Sequence, residues 1–201
     1  MKRMLLGLPA LAGIALLTVS CAKEPTEAIT AVHTAMDAAR AAQASDYAPA
    51  SFSAAEAALA NLEAELKVQS DKFALTRSYA KATELATAAK AAADKAAADA
   101  VTGKEAMKAE ATTLIAGVRT QVEATKKLLD KAPKGKGSAA DIAAMKSDVA
   151  GVETSLGEMD AAMTAGRYKE AKAKAVAAKA SLDKIAADVQ AAIDAKKAAH
   201  R

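Results

Sequence analysis

Apolar residues recur at intervals of three and four positions along nearly the whole chain after residue 24. This interval is typical of an amphipathic α-helix with one apolar face. Prolines, glycines and short clusters of turn-forming residues divide the pattern into six predicted helices. Their predicted bounds are Glu24 to about Ser45, Ser53 to Thr76, Tyr79 to about 101, about 104 to 131, Ser138 to Gly166, and Tyr168 to about Ala198.

The second and fifth predicted helices carry the most regular apolar seams. Their apolar positions alternate in steps of three and four, which is the a/d spacing of coiled-coil-like packing. The seams are Phe52, Ala55, Leu59, Leu62, Leu66, Gln69 and Phe73 in the second helix, and Ile142, Met145, Val149, Val152, Leu156, Met159 and Met163 in the fifth. Capping residues, Ser53 with Glu56 and Ser138 with Asp141, stand at their predicted starts.

The connection between the third and fourth predicted helices is open on sequence grounds. Thr102-Gly103-Lys104-Glu105 offers both a glycine and a capping box, which favours a turn. A glycine inside a helix costs only about 1 kcal/mol. One uninterrupted helix from residue 79 to 131 is therefore the alternative. Elsewhere the breaks are plainer, at Asp46-Tyr47-Ala48-Pro49 and in the loop from Pro133 to Gly137.

Composition supports an all-α fold. Alanine contributes 60 of the 201 residues, there is no tryptophan, and only five residues are aromatic. Alanine has the highest helix propensity but buries little apolar area, so thin, closely packed helices are expected rather than a wide core. The predicted fold is an elongated antiparallel helical bundle.

The chain also matches itself at an offset of 89 residues. Between 79–99 and 168–188, 12 of 21 positions are identical, including Tyr79 with Tyr168 and Asp94 with Asp183. The seams of the second and fifth helices align at an offset of 90. We interpret this as two tandem three-helix units, 24–101 and 104–199. The alternative is chance self-similarity within Ala/Lys-rich sequence.

The first twenty residues have the pattern of an export signal. Lys2 and Arg3 precede an apolar run from Leu5 to Val19, which is too short to span a bilayer comfortably. The run ends in Leu17-Thr18-Val19-Ser20-Cys21, which resembles a lipobox. That resemblance implies a signal peptide over 1–20, a lipidated N-terminus over 21–23, and acylation of Cys21. An ordinary secretory signal and an uncleaved N-terminal helix are the alternatives.

Acylation of Cys21 implies a membrane address. Cys21 is the only cysteine, so no internal disulfide exists, and two or three acyl chains give stable anchoring. Ala22 follows it where an Asp would resemble an inner-membrane retention signal. We therefore expect a periplasm-facing lipoprotein of the outer membrane.

Two motifs of the N-terminal half resemble a known family. Asp46-Tyr47-Ala48-Pro49 precedes one helix, and Tyr79, Ala82, Leu85, Ala86 and Ala89 open the next in a Y-x-x-A-x-x-L-A-x-x-A pattern. Residues 24–100 thus resemble Ala-rich helical envelope lipoproteins that carry a domain of unknown function. A degraded second copy lies in 104–190, where Lys174 replaces the Leu. The resemblance implies an envelope lipoprotein and supplies no active site.

Charge argues against nucleic acid as a partner. Cleavage before Cys21 removes Lys2 and Arg3 and lowers the side-chain charge from +4 to +2. Acidic and basic residues are interspersed as on a solvated helical surface. The short lysine stretches lack aromatic stacking partners and follow an export signal.

Candidate chemistry is sparse. His33 and His200 are the only histidines, and neither has a second ligand nearby in sequence, so we expect no metal, cofactor, small-molecule substrate or catalytic site. Tyr79 and Tyr168 are the candidate packing or contact anchors. Asp94 with Lys95, and Asp183 with Lys184, are expected as surface ion pairs. The row Met145, Met159 and Met163 is expected to fill a seam, with an adaptable partner groove as the alternative.

Two functions of different class fit these observations. The first is a non-enzymatic structural or adaptor role in the cell envelope, with an envelope protein or peptidoglycan as partner. The second is a stress-protective, weakly folded amphipathic protein, because Thr87 to Ala96 resembles desiccation-protein repeats. A hydrolase is rejected for lack of a nucleophile with a base.

Overall fold

The computed structural model describes residues 23–133 and 139–199. The described residues form an all-α bundle, so the predicted fold class is confirmed. The helices are α1 Thr26–Ala41, α2 Ala44–Tyr47, α3 Pro49–Ser70, α4 Ala80–Asp130, α5 Ala139–Thr164 and α6 Tyr168–Ala199, with a short 3-10 helix Ala74–Thr76 between α3 and α4. The predictions for the signal segment, Cys21, the loop 134–137, Ser138 and His200 lie outside the described residues.

Helix α4 continues through Gly103 without a break. It is 51 residues long, about 76 Å at a rise of about 1.5 Å per residue. The Thr102–Glu105 capping box does not form, because Thr102 lies inside the helix and donates its hydroxyl to the Ala98 carbonyl at 3.3 Å. Of the two alternatives left open by the sequence, the structure has the single long helix.

Two hydrophobic cores lie one after the other along α4. The N-terminal core joins α1, α3 and the first half of α4, and contains Val32, Met36 and Leu62. The C-terminal core joins the second half of α4 to α5 and α6, and contains Val118, Met159 and Leu182. Helix α4 therefore serves as the third helix of one core and the first helix of the other.

Residues that match in the self-alignment occupy equivalent places in the two cores. At the offset of 89, six seam positions of α4 pair with six of α6, and all twelve side chains are buried. The pairs are Ala82 with Ala171, Ala86 with Ala175, Ala89 with Ala178, Ala93 with Leu182, Ala96 with Ile185, and Ala100 with Val189. The second copy replaces three seam alanines with larger side chains, so each of those positions offers more apolar area for burial.

The direction of the helices places the chain's N-terminal segment at one end of the molecule. Helix α1 packs along the first half of α4, and Gln43, just beyond its end, accepts a hydrogen bond from Lys104 at 2.8 Å. Helix α1 therefore runs parallel to α4, and α3 returns antiparallel to both. The α3–α4 turn and the start of α1 consequently lie towards the same end.

Three predicted helix bounds are wrong. Helix α1 ends at Ala41 rather than near Ser45, because Gln43 takes a left-handed conformation with φ of 60° and a separate short α2 follows. Helix α3 begins at Pro49, whose fixed φ suits the first helical position, so Ser53 is not its N-cap. Helix α3 also ends at Ser70, and Phe73 is 72% exposed instead of lying on the seam.

A packed core of this extent should unfold cooperatively. We expect a sigmoidal loss of helicity on heating in dilute buffer, because the buried seams on α4 must separate together. Far-ultraviolet circular dichroism would measure it. Low helicity that rises only on drying would instead support the stress-protective alternative.

Candidate functional site

The α1–α3 and α5–α6 connections meet beside the middle of α4. We call this region the junction and define it by residues 43–47, 103–104 and 166–169. The left-handed Gln43 and the helix-starting Pro49 bracket α2 and bring its last residue, Tyr47, against α4. The Tyr47 carbonyl oxygen lies only 2.1 Å from where a Cβ on residue 103 would stand. Only glycine permits this approach.

Polar contacts of the junction connect the two halves of the chain. The Tyr47 hydroxyl donates to the Gly166 carbonyl at 3.3 Å. The Lys169 ammonium pairs with Asp46 at 3.0 Å. The Lys104 ammonium lies 5.6 Å from the centre of the Tyr47 ring, within the range of a cation–π contact. The junction thus holds the two connections against each other and against α4.

A cleft of about 560 Å³ opens beside these contacts. Its charged groups largely pair among themselves: Lys169 with Asp46, and Arg167 with Glu170 at 2.8 Å. Its lining residues are Gln43, Asp46, Tyr47, Lys104, Ala165, Gly166, Arg167, Lys169, Glu170 and Ala173. The lining thus joins the N-terminal and C-terminal halves and is built from structural ion pairs.

The two predicted tyrosine anchors lie at different places. Tyr79 is 9% exposed and packs into the N-terminal core at the start of α4, where its carbonyl accepts the Thr83 hydroxyl at 3.0 Å. Tyr168 is half-buried at the start of α6, within the junction, with the Lys108 ammonium 5.9 Å from its ring centre. The structure therefore does not bring the two side chains together into one site.

A polar network closes the opposite end of the N-terminal core. Glu65 is buried, accepts a hydrogen bond from Gln69 at 2.7 Å and pairs with Lys81 at 3.1 Å. The Gln69 amide oxygen in turn accepts the backbone N–H of Ser78 at 3.0 Å. Hydrogen bonds from Gln69 and Lys81 hold the pKa of the Glu65 carboxyl below its ordinary value of 4.5. The network fastens the α3–α4 turn.

The Glu65→Gln variant should lose less free energy of unfolding than the wild type when the pH is lowered. A carboxyl whose pKa is lower in the folded than in the unfolded protein stabilises the fold above its ordinary pKa. That contribution is lost as the pH falls through the lower pKa of the folded state. Urea unfolding at about pH 7 and about pH 3 would measure the difference. Glu63→Gln, at an exposed position of the same helix, is the matched control. If both variants lose the same free energy of unfolding between the two pH values, the lowered pKa of Glu65 is contradicted.

The two predicted acids form surface ion pairs, but with lysines other than the adjacent ones that were predicted. Asp94 pairs with Lys90 at 2.6 Å and Asp183 pairs with Lys179 at 2.7 Å, because residues four apart lie on the same face of a helix and adjacent residues do not. Each pair spans four residues of one helix, and the two lie 89 residues apart. Hydrogen bonds from Lys179 and Gln121 lower the pKa of the Asp183 carboxyl. Exposed pairs of this kind contribute little stability.

The remaining candidate side chains have structural placements. His33 is exposed on α1, and no group of three or more His, Cys, Asp or Glu side chains suited to a metal ion occurs among the described residues. Met159 is fully buried, with Met145 and Met163 half-buried against the same core. The methionine row therefore fills the C-terminal seam.

Comparisons with protein-family models, curated proteins and solved structures found no match to this chain. Within the described part of the chain, no helix is long and apolar enough to cross a bilayer.

Sequence reasoning overlooked the residues that organise the two ends of the N-terminal core. In the sequence pattern, Gly103 indicates only a possible helix break and Tyr47 only part of a turn. The signal for the polar network was Gln69, a polar residue at a position where the seam predicts an apolar one. The signal for the junction was weaker, because contacts between Tyr47 and Gly166 span 119 residues.

Proposed function

We propose that this chain is an outer-membrane lipoprotein, anchored through Cys21, with a non-catalytic spacer or adaptor role in the cell envelope. The observation that carries the proposal is the course of α4. This single helix starts at the end of the molecule towards which the chain's N-terminal segment lies and runs about 76 Å to the other end. A tether at one end of such a rod would hold the C-terminal core away from the membrane.

The dimensions support a spacer. The junction lies about 35 Å along α4 from Ala80, and the C-terminal core occupies the helix beyond it. If residue 21 sits at a membrane surface, the α5 and α6 faces stand in the periplasmic space. They are available there to an envelope protein or to peptidoglycan. The resemblance of residues 24–100 to envelope lipoproteins points to the same compartment.

The structural ion pairs support rigidity of the distal unit. Pairs between different helices connect α4 with α5 and α6 with both. They include Lys126 with Glu153, Lys172 with Glu110, and Lys174 with Glu158, each at 2.5 Å. Each is exposed and individually weak, yet together with the core they define one arrangement of the three helices. A fixed surface of this kind can dock a partner without rearranging.

Cys21→Ser tests the anchor. The wild-type protein should gain the mass of two or three acyl chains and sediment with outer membranes, because acylation would provide stable attachment. The variant should lack the added mass and retain residues 1–20, because in a lipobox signal the peptide bond before the cysteine is cut only after its thiol is acylated. Wild-type protein without acyl mass would refute the lipoprotein proposal.

A photo-crosslinking residue at Val176 tests the adaptor role. Val176 is 51% exposed on α6 in the distal unit, so its replacement leaves the core intact. In cells it should capture an envelope protein or cell-wall material. A crosslinker at Leu62, which is fully buried, is the control and should capture nothing. Absence of any product at Val176, together with growth of a deletion strain like wild type under envelope stress, would contradict the role.

A further inference from the structure

Exposed large apolar side chains are concentrated at one end of the molecule. We call residues 67–81, from the end of α3 through the turn to the start of α4, the tip. Phe73 is 72% exposed, Leu75 63% and Val68 50%. Single exposed apolar residues are ordinary on protein surfaces. Here, three of the five exposed large apolar side chains of the described residues fall within eight positions, the others being Val101 and Val176.

The second helical unit shows that this exposure is particular to the tip. At the offset of 90, Phe73 aligns with Met163. Met163 belongs to α5 and packs against the C-terminal core. In the first unit α3 ends three residues before the matching position, and the aromatic ring projects outwards instead.

Hydrogen bonds hold the tip in this projecting conformation. Arg77 donates to the Ser70 carbonyl at 2.9 Å and to the Lys72 carbonyl at 3.0 Å. Its guanidinium thus satisfies two carbonyls at the end of α3. The buried Gln69 accepts the Ser78 N–H from the other side of the turn. Phe73 and Leu75 therefore stand on a fastened turn, and folding back into the N-terminal core would break these bonds.

The tip also carries the basic surplus of the mature chain. Residues 67–81 contain four basic side chains, Lys67, Lys72, Arg77 and Lys81, and one acidic side chain, Asp71, for a charge of +3. The chain from residue 21 onwards totals +2, with 26 basic and 24 acidic residues, which leaves −1 for everything outside the tip. If Glu65, the partner of Lys81, is included, the side-chain charge of the tip is still +2.

The tip lies at the same end of the molecule as the chain's N-terminal segment. Helix α1 extends about 24 Å back from the junction and the first half of α4 extends about 35 Å in the same direction. Helix α1 therefore begins about 11 Å short of the start of α4, and before it the Thr26 N–H donates to the Glu24 carbonyl at 2.9 Å in a tight turn. Lys23 is two residues from Cys21. A membrane that holds the acyl chains on Cys21 would therefore face the tip.

From this juxtaposition we propose that the tip is a membrane-contact surface, which seats Phe73 and Leu75 in the headgroup region of an anionic phospholipid bilayer. The inference rests on the proposed lipid anchor for its orientation. Phenylalanine and leucine on a surface element bury at the boundary between headgroups and acyl chains, lysine and arginine are attracted to anionic lipid, and a second contact strengthens anchoring by acyl chains. Two contacts also restrict the tilt of the rod relative to the membrane.

Phe73→Trp in the full-length, membrane-purified protein gives a direct readout, because the chain has no other tryptophan. The protein is reconstituted in vesicles of phosphatidylethanolamine and phosphatidylglycerol. We expect a blue-shifted emission relative to the vesicle-free protein, and quenching by phospholipids brominated near the headgroup. Val176→Trp, on α6 beyond the junction, is the matched control and should show neither effect.

The intact mass of the Phe73→Trp sample separates this inference from the proposed anchor. Acylated, vesicle-bound protein whose tryptophan emission stays unshifted overturns the tip contact and leaves the anchor standing. Protein without acyl mass refutes the anchor. In that case a blue-shifted emission with anionic vesicles still supports the tip contact, and an unshifted emission overturns it. A shift already present without vesicles, in a sample with the mass of a dimer, also overturns it, because a second copy then covers the tip.

A second variant measures the strength of the contact. Phe73→Ser with Leu75→Ser removes apolar surface that is mostly exposed and lies between α3 and α4, so helicity should be unchanged. Transfer of the acylated protein between vesicles should become about tenfold faster, since each side chain contributes apolar burial. Equal transfer rates of variant and wild type would overturn the proposal.

Discussion

Gly103→Ala should lower the free energy of unfolding by about 2–3 kcal/mol, the range of an overpacked contact. Alanine is the better helix former by about 1 kcal/mol, so propensity alone predicts the opposite sign. The Cβ atom, however, would stand 2.1 Å from the Tyr47 carbonyl oxygen and 3.0 Å from its carbonyl carbon. These are backbone atoms and cannot rotate away, so α2 must leave α4.

Displacement of α2 should reach the rest of the junction. The Tyr47 hydroxyl would lose the Gly166 carbonyl, and Lys169 would lose Asp46. We therefore expect Gly103→Ala to weaken the coupling between the two cores as well as the overall stability. Urea unfolding followed by circular dichroism would show a lower midpoint, and a second transition would show that the cores have separated.

Gly117→Ala is the matched control for Gly103→Ala. Gly117 lies in the same helix α4, fourteen residues further on, and a Cβ there would meet no atom within 4 Å. This variant should raise the free energy of unfolding by about 0.5–1 kcal/mol through helix propensity alone. If both variants stabilise the protein alike, the close approach of Tyr47 does not exist in solution.

Leu182→Ala should cost about 3 kcal/mol, within the range for removing a large buried aliphatic side chain. Leu182 is fully buried on α6 and belongs to the C-terminal core. Truncation removes apolar contact and leaves a cavity, which neighbouring seam residues on α4 and α5 can fill only in part. The same urea titration would measure the loss.

Val176→Ala provides the control on the same helix. Val176 is half exposed, so its truncation should change stability by no more than about 0.5 kcal/mol. At the matching position of the first unit, Ala93 is also fully buried. A single Leu182→Ala substitution leaves the neighbours of the leucine unchanged, so a cavity remains. A cost below about 1 kcal/mol for Leu182→Ala would mean that this core is loosely packed.

Periodicity was sufficient to predict most of the helical architecture. The three-and-four spacing, the abundance of alanine and the a/d seams are local properties, and they correctly predict an all-α bundle. They also correctly identify buried positions such as Leu62, Met159 and Leu182. The self-match at 89 residues pairs six seam positions of α4 with six of α6, and all twelve side chains are buried. That the two halves arose by duplication stays a prediction.

Local pattern was not sufficient at the helix ends and in the junction. The extension of the seam to Phe73 is wrong, because two hydrogen bonds fasten a turn after Ser70. The Arg77 guanidinium donates to the Ser70 carbonyl, and the Gln69 amide oxygen accepts the Ser78 N–H. Those bonds join residues that the apolar period does not relate. The same limit applies to Gln43, whose left-handed backbone divides the first predicted helix.

The sequence by itself therefore determined that the chain is helical and which faces of its helices are buried. Only the tertiary structure decided that α4 is one continuous helix and that Tyr47 rests on Gly103. Only the structure, too, decided that Phe73 projects from the tip. The physical reason is the sequence separation of the interacting residues. Helix formation and amphipathicity depend on neighbours within four residues, whereas the role of a glycine in a helix depends on whether a backbone distant in sequence packs against it. At Gly103 that backbone comes from a residue 56 positions earlier in the chain.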